Sequence, residues 1–127
     1  MADARDTRDL LLERGHALAS EVGLQGLTIG RLAGDVGISK AGIYAHFDSK
    51  EHLLKEVLAR AVEEFEQDGI EPALRAPPGE PRLRALFDAW MEWTEASPVP
   101  GGCIFVSSAI ELDDRPGPLR DFLLEVL

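Results

Sequence analysis

The 127-residue chain is long enough for one domain or two small ones, and its 45% hydrophobic and 28% charged residues match a soluble globular protein. No apolar run reaches the ~18 residues of a membrane span, the N-terminus carries no apolar signal core, and one cysteine excludes an internal disulfide framework or a multi-cysteine zinc site. The net charge of −10 opposes non-specific nucleic-acid binding, yet residues 1–50 hold six basic and seven acidic side chains whereas residues 51–127 hold seven and sixteen. Such asymmetry points to divided labour along the chain. A cytoplasmic protein free of membranes is expected. His16, His46 and His52 show no metal-ligand spacing, so neither a metal nor another cofactor is expected.

Hydrophobic periodicity predicts helices nearly throughout, with no period-2 strand and no internal repeat, hence an all-α fold. A first helix runs from about Asp6 to Val22, with Leu11, Leu12, Gly15, Leu18, Ala19 and Val22 on one face. Gly23 suits the left-handed residue just past its end. Thr28 caps a short second helix with Ile29, Leu32, Ala33 and Val36 at helical spacing, and Gly37 ends it. Ser39 caps a third, reaching about His46 or Phe47. Asp48 is expected to cap the fourth, in a capping box with Glu51, and its face is Leu54, Val57, Leu58, Ala61, Val62 and Phe65. Gly69, Pro72, Pro77, Pro78, Gly79 and Pro81 form a breaker zone. A fifth helix carries Leu83, Leu86, Phe87, Trp90, Trp93 and Thr94 on one side. Ser97–Gly102 reads as a loop, Cys103–Leu112 as a sixth helix, and a seventh begins near Leu119. Phe122, Leu123, Leu124, Val126 and Leu127 keep the apolar pattern to the last residue, so further helices are expected beyond it.

The stretch from Thr28 to Lys50 carries the functional signal. Two short helices joined by about three residues around Gly37 have the spacing of a helix-turn-helix. Their close crossing needs a small residue, which Ala33 supplies. The turn needs a positive φ, which Gly37 supplies. Ile38 plugs the turn into the core, and Ile43 is the buried aliphatic of the second helix.

The run Gly37-Ile38-Ser39-Lys40-Ala41-Gly42-Ile43-Tyr44-Ala45-His46-Phe47-Asp48-Ser49-Lys50-Glu51-His52-Leu53-Leu54 resembles the DNA-binding signature of the tetracycline-repressor (TetR) family of bacterial regulators. That signature reads roughly Gly-Val-Ser-x-x-x-Leu-Tyr-x-His-Phe-x-x-Lys-Glu-x-Leu-Leu. Gly37, Ser39, Tyr44, His46, Phe47, Lys50, Glu51, Leu53 and Leu54 match it, and the resemblance covers about residues 6–54. It implies an N-terminal three-helix DNA-binding domain over residues 1–48. The fourth helix would join this to a helical ligand-binding and dimerisation domain over residues 49–127, incomplete at its C-terminal end.

The resemblance also implies roles. Lys40, Ala41, Gly42, Ala45 and His46 face base edges in the major groove, Tyr44 and Lys50 meet phosphates, and Thr28 offers its hydroxyl and helix-start amides to a phosphate. Ser39 belongs to the same DNA-binding set. The expected partners are a double-stranded palindromic operator, a second copy of the chain and a small-molecule effector, and the regulator is expected to be a repressor. Two features depart from the family pattern. Gly42 stands where Thr or Ser is common, so Ala41, Gly42 and Ala45 offer no hydrogen-bonding side chain and readout leans on Lys40, thymine methyls or DNA shape. Ala19 stands where phenylalanine is usual. The alternative function is a helical interaction module that keeps this fold without operator binding.

In the second half, a candidate effector pocket draws on Phe65, Leu86, Phe87, Trp90, Met91, Trp93, Cys103 and Phe105, although an aromatic stripe at helical spacing is more often core. Cys103 reads as a small buried residue rather than a redox sensor, because no Lys, Arg or His lies close to it in sequence. Ser107-Ser108 lack a Gly-x-Ser-x-Gly setting, and no phosphate loop or acid–base pair is present, so no catalysis is expected.

Overall fold

The computed structural model describes residues 4–96 and 101–126. Among these the elements are helical, without strands: α1 (Ala4–Val22), α2 (Ile29–Val36), α3 (Lys40–Tyr44), α4 (Lys50–Phe65), α5 (Glu80–Ala96), α6 (Ile104–Glu111) and α7 (Pro118–Val126). The all-α expectation therefore holds. The expected Ser97–Gly102 loop lies outside the described residues except for Gly101 and Gly102.

Each short helix is bounded by chemistry visible in its sequence. Thr28 adopts an extended backbone and its hydroxyl accepts from the Arg31 N–H, while Gly37 closes α2 at φ 81°, donating its N–H to the Ala33 carbonyl. The Ser39 hydroxyl caps α3 by accepting from the Gly42 N–H. Helix α3 ends at Tyr44, two to three residues before the expected limit, and the chain then turns so that the Phe47 N–H still reaches the Ile43 carbonyl. The cap of α4 is Ser49 rather than Asp48, its hydroxyl accepting from the His52 N–H. Asp48 is one residue too early to reach that amide. Its own N–H donates to His52 Nδ1 at 3.0 Å, so His52 takes the reciprocal place expected of Glu51.

Helix α4 also runs on past the expected break. A π-helical turn over Glu66–Ile70 and a last helical turn over Glu71–Ala73 carry the chain through Gly69 and Pro72. The ring of Pro72 would press on the carbonyl four residues back, at Asp68, and the wider π turn makes room for it. Gly69 is needed for close approach, since a Cβ there would lie 2.9 Å from the Phe65 ring. The true break comes at Pro77, Pro78 and Gly79, where Gly79 takes φ 95°.

One hydrophobic core unites the molecule. Leu11 and Leu12 of α1, Leu32 of α2, Ile43 of α3, Leu53, Leu54, Val57, Leu58 and Ala61 of α4, Ile104 of α6 and Leu119 and Leu123 of α7 belong to a single buried cluster. Helix α1 crosses α4 at Gly15, whose added Cβ would stand 2.9 Å from Val57. Ion pairs frame the same seam: Arg8 to Glu56 at 3.1 Å and Arg60 to Asp9 at 3.0 Å. Ala19 is buried in the core cluster, and Val22, expected on the buried face, is 36% exposed.

Helix α5 does not present one apolar side. Leu83, Phe87 and Trp90 are exposed by 70%, 55% and 38%, whereas Trp93 packs on the core. Residues advance by about 100° each around a helix, so the steps from Phe87 to Trp90 to Trp93 drift about 120° around it. Two stripes result: Leu83, Phe87 and Trp90 outward, and Leu86, Ala89 and Trp93 inward. Ala89 accordingly lies against Gly69, its Cβ 3.6 Å from where a Cβ of residue 69 would stand.

Candidate nucleic-acid interface

Helices α2 and α3 pack through Leu32, Ala33 and Ile43, all buried, which leaves their opposite sides open. Thr28, Arg31, Ser39, Lys40, Ala41, Tyr44 and Ala45 are exposed, while Gly42, His46 and Lys50 are half-buried. Phe47 is 1% exposed and belongs to the core. The starts of the two helices meet, because the Lys40 chain passes 3.6 Å from the site of a Cβ on Gly30.

Charge is distributed by pairing. Asp35, the carboxylate of α2, is held by Arg14 through contacts of 2.7 and 3.1 Å. The Arg14 hydrogen bond keeps the Asp35 carboxyl below its ordinary range, and Asp35 raises the Arg14 guanidinium in turn. Arg8 is taken by Glu56 and lies 5.1 Å above the Phe47 ring. Arg31 and Lys40 are exposed and make no ion pair among the described residues. Arg31 is not among the residues that the sequence pattern singles out. Its signal is its place three residues after the Thr28 cap, turned about 100° from the buried Leu32.

Tyr44 is half exposed, with its ring on the open side of α3. Gly42 is constrained rather than vacant, because a Cβ there would stand 3.3 Å from Ile38 Cδ1 and 3.5 Å from the capping Ser39 oxygen. A Thr or Ser would need Ile38 to shift by a few tenths of an ångström. Lys50 donates to the Gln25 carbonyl at 2.9 Å, which places its ammonium beside the turn leading into α2. Thr28, Arg31, Lys40, Tyr44 and Lys50 thus give hydroxyl and cationic donors flanking the small, apolar Ala41 and Ala45.

The eight residues of the candidate effector pocket separate. Phe65, Trp93 and Phe105 form one aromatic group, with ring centroids 5.2 to 6.1 Å apart. His16 of α1 stacks on Trp93 at 5.8 Å. Phe87 and Trp90 pair with each other at 6.1 Å on the outward side of α5. Leu86, Met91 and Cys103 are half-buried, so Cys103 is not the buried residue expected, and it caps α6 without a side-chain hydrogen bond. His16 is buried, and burial lowers its pKa, with Glu64 opposing that shift and Arg60 adding to it. Its Nδ1 lies 3.8 Å from Glu64, while His16 Nε2 and the Ser108 hydroxyl are buried without partners among the described residues.

Two family models match the chain. Residues 11–57 match the bacterial regulatory proteins of the tetR family, and residues 79–127 match the tetracyclin repressor-like C-terminal domain. Among curated proteins, HTH-type transcriptional regulators of Staphylococcus aureus strains USA300 and NCTC 8325 are 32% identical over 63 residues. That stretch is 50% of this chain and 34% of each relative, so the match spans about a third of their length. Among solved structures, a TetR transcriptional regulator from Chloroflexus aurantiacus superposes with a TM-score of 0.80 and 28% identity, covering 99% of this chain and 64% of that one.

Proposed function

The chain belongs to the TetR family of bacterial regulatory proteins, and from that premise we propose that it is a sequence-specific DNA-binding regulator, acting as a homodimeric, ligand-responsive repressor. The observation that carries the reading is the open face of α2 and α3. There Thr28, Arg31, Lys40 and Tyr44 surround an uncovered, largely apolar recognition surface, while the nearby carboxylate of Asp35 is neutralised by Arg14. Thr28, Arg31, Tyr44 and Lys50 position the protein on phosphates, and Lys40 with the Ala41 and Ala45 methyl groups reads base edges. A homodimer follows from the groove geometry, because two recognition helices must enter successive major grooves about 34 Å apart. A ligand bound beside Phe65, Trp93 and Phe105 would shift the spacing between those helices only through different affinity for the two arrangements.

The test is fluorescence anisotropy of the full chain on DNA from upstream of its own gene, at two salt concentrations, with scrambled DNA as control. Tight, salt-sensitive binding that scrambled DNA does not match is the expected result. Equal affinity for both duplexes from a dimeric protein would favour the interaction module, whose support is the absence of hydrogen-bonding side chains at Ala41, Gly42 and Ala45.

A further inference from the structure

Helix α4 is one covalent bridge between the DNA-facing helices and the rest of the molecule, and α6 makes a second, non-covalent one. At its far end the Glu111 carboxylate accepts the Leu24 N–H at 2.9 Å and the Gln25 N–H at 2.8 Å, in the turn between α1 and α2. Gly23 allows the approach: it takes φ 80°, and a Cβ there would crowd the Glu111 oxygens at 3.1 Å. Successive N–H groups after a left-handed residue make a natural cradle for an anion. Before α6, the Gly101 N–H donates to the Ser20 hydroxyl at 3.0 Å, and a Cβ on Gly101 would collide with the Ser20 carbonyl. Helix α6 is thus fastened near both of its ends, to α1 through Ser20 and to the α1–α2 turn through Glu111, and Phe105 on the same helix packs beside the Trp93 and Phe65 rings.

Gln25 is the junction. Its N–H is held by Glu111 and its carbonyl by Lys50, and Thr28 begins α2 three residues later. We propose that Glu111 is a positioning residue for DNA binding, fixing the Leu24–Gln25 turn so that Lys50 and Thr28 stand at the separation that phosphates require. This rests on the regulator reading above and assigns it a route: displacement of α6 beside the aromatic group moves the turn, and with it two phosphate contacts.

The experiment uses the full chain and a duplex that the wild type selects from a random pool. E111Q keeps the side chain's size but turns an N–H₂ toward a backbone N–H, so one accepting oxygen is lost. Expected are faster amide exchange at Leu24 and Gln25, unchanged helical circular dichroism, affinity lowered about tenfold, and a salt slope smaller by about one. The slope is the reading that a merely structural role leaves unmoved. R84A, which removes the α5 ion pair of Arg84 with Glu80, is expected to leave all four readings at their wild-type values. Should E111Q fail to fold, E111D keeps the charge and shortens the reach, and the same readings apply. Affinity within about twofold of wild type, or amides that stay protected, overturns the assignment while leaving the regulator reading intact. A wild-type chain that selects no duplex removes both.

Discussion

If the chain is the proposed regulator, Lys40 and Tyr44 are separable by the contacts proposed for each. Tyr44→Phe is expected to weaken binding to every duplex by roughly threefold to tenfold, the loss of one hydrogen bond. Lys40→Ala is expected to weaken binding, lower the salt slope by about one and relax base preference, read by competition with mutated duplexes. Wild-type affinity in both variants would remove α3 from the interface. His16 carries a prediction about pH. Burial holds its folded-state pKa below the ordinary 6.5, so the folded protein keeps the imidazole neutral while the unfolded chain takes up a proton. The stability it contributes is complete above that ordinary value and is lost as pH falls through the lowered one. Urea unfolding at neutral and mildly acidic pH should show this loss, and His16→Phe, able to keep the stack on Trp93, should flatten that part of the dependence. An unchanged profile in the variant would assign the acid sensitivity elsewhere.

At the scale of elements, caps and crossings decide. Ser49→Ala is expected to cost about 0.5–2 kcal/mol, and Asp48→Ala far less, because only the Ser49 hydroxyl receives an N–H of α4. Thermal melts of the two variants discriminate the caps, and equal losses would contradict the assignment. Gly15→Val is expected to destabilise by about 1–3 kcal/mol, since its side chain enters space held by Val57. A neutral Gly15→Val would mean that α1 and α4 can separate without loss. The limits of α2 were legible because Thr28 and Gly37 are strong local signals. The cap of α4 was not, because Asp48 and Ser49 are both good capping residues and only the path of the chain chooses between them.

The whole molecule is joined by its core rather than divided by it. Residues of α1, α2, α3, α4, α6 and α7 share one buried cluster. Unfolding is therefore expected to be a single transition, with tryptophan fluorescence from α5 coinciding with far-ultraviolet circular dichroism from all helices. An early fluorescence change would show that the α5 side opens by itself. Of the exposed large apolar side chains, Leu83, Phe87, Trp90, Val106, Ile110 and Leu124 lie on α5, α6 and α7.

The sequence by itself determined the helical class, the α2–turn–α3 unit with its φ-positive Gly37, and the core place of Ile43. These follow from periods and spacings within about twenty residues, where helix geometry alone relates one side chain to the next. Tertiary structure alone decided how the aromatic set splits. Phe87 and Trp93 both fit an apolar stripe, and only the position of α4, with Gly69 against Ala89, turns one outward and the other in. It alone revealed the Glu111 carboxylate on Leu24 and Gln25 and the burial of His16 beside Trp93. Those partners stand 86 and 87 residues apart for Glu111, and no local pattern encodes a contact whose geometry depends on how several helices stack together.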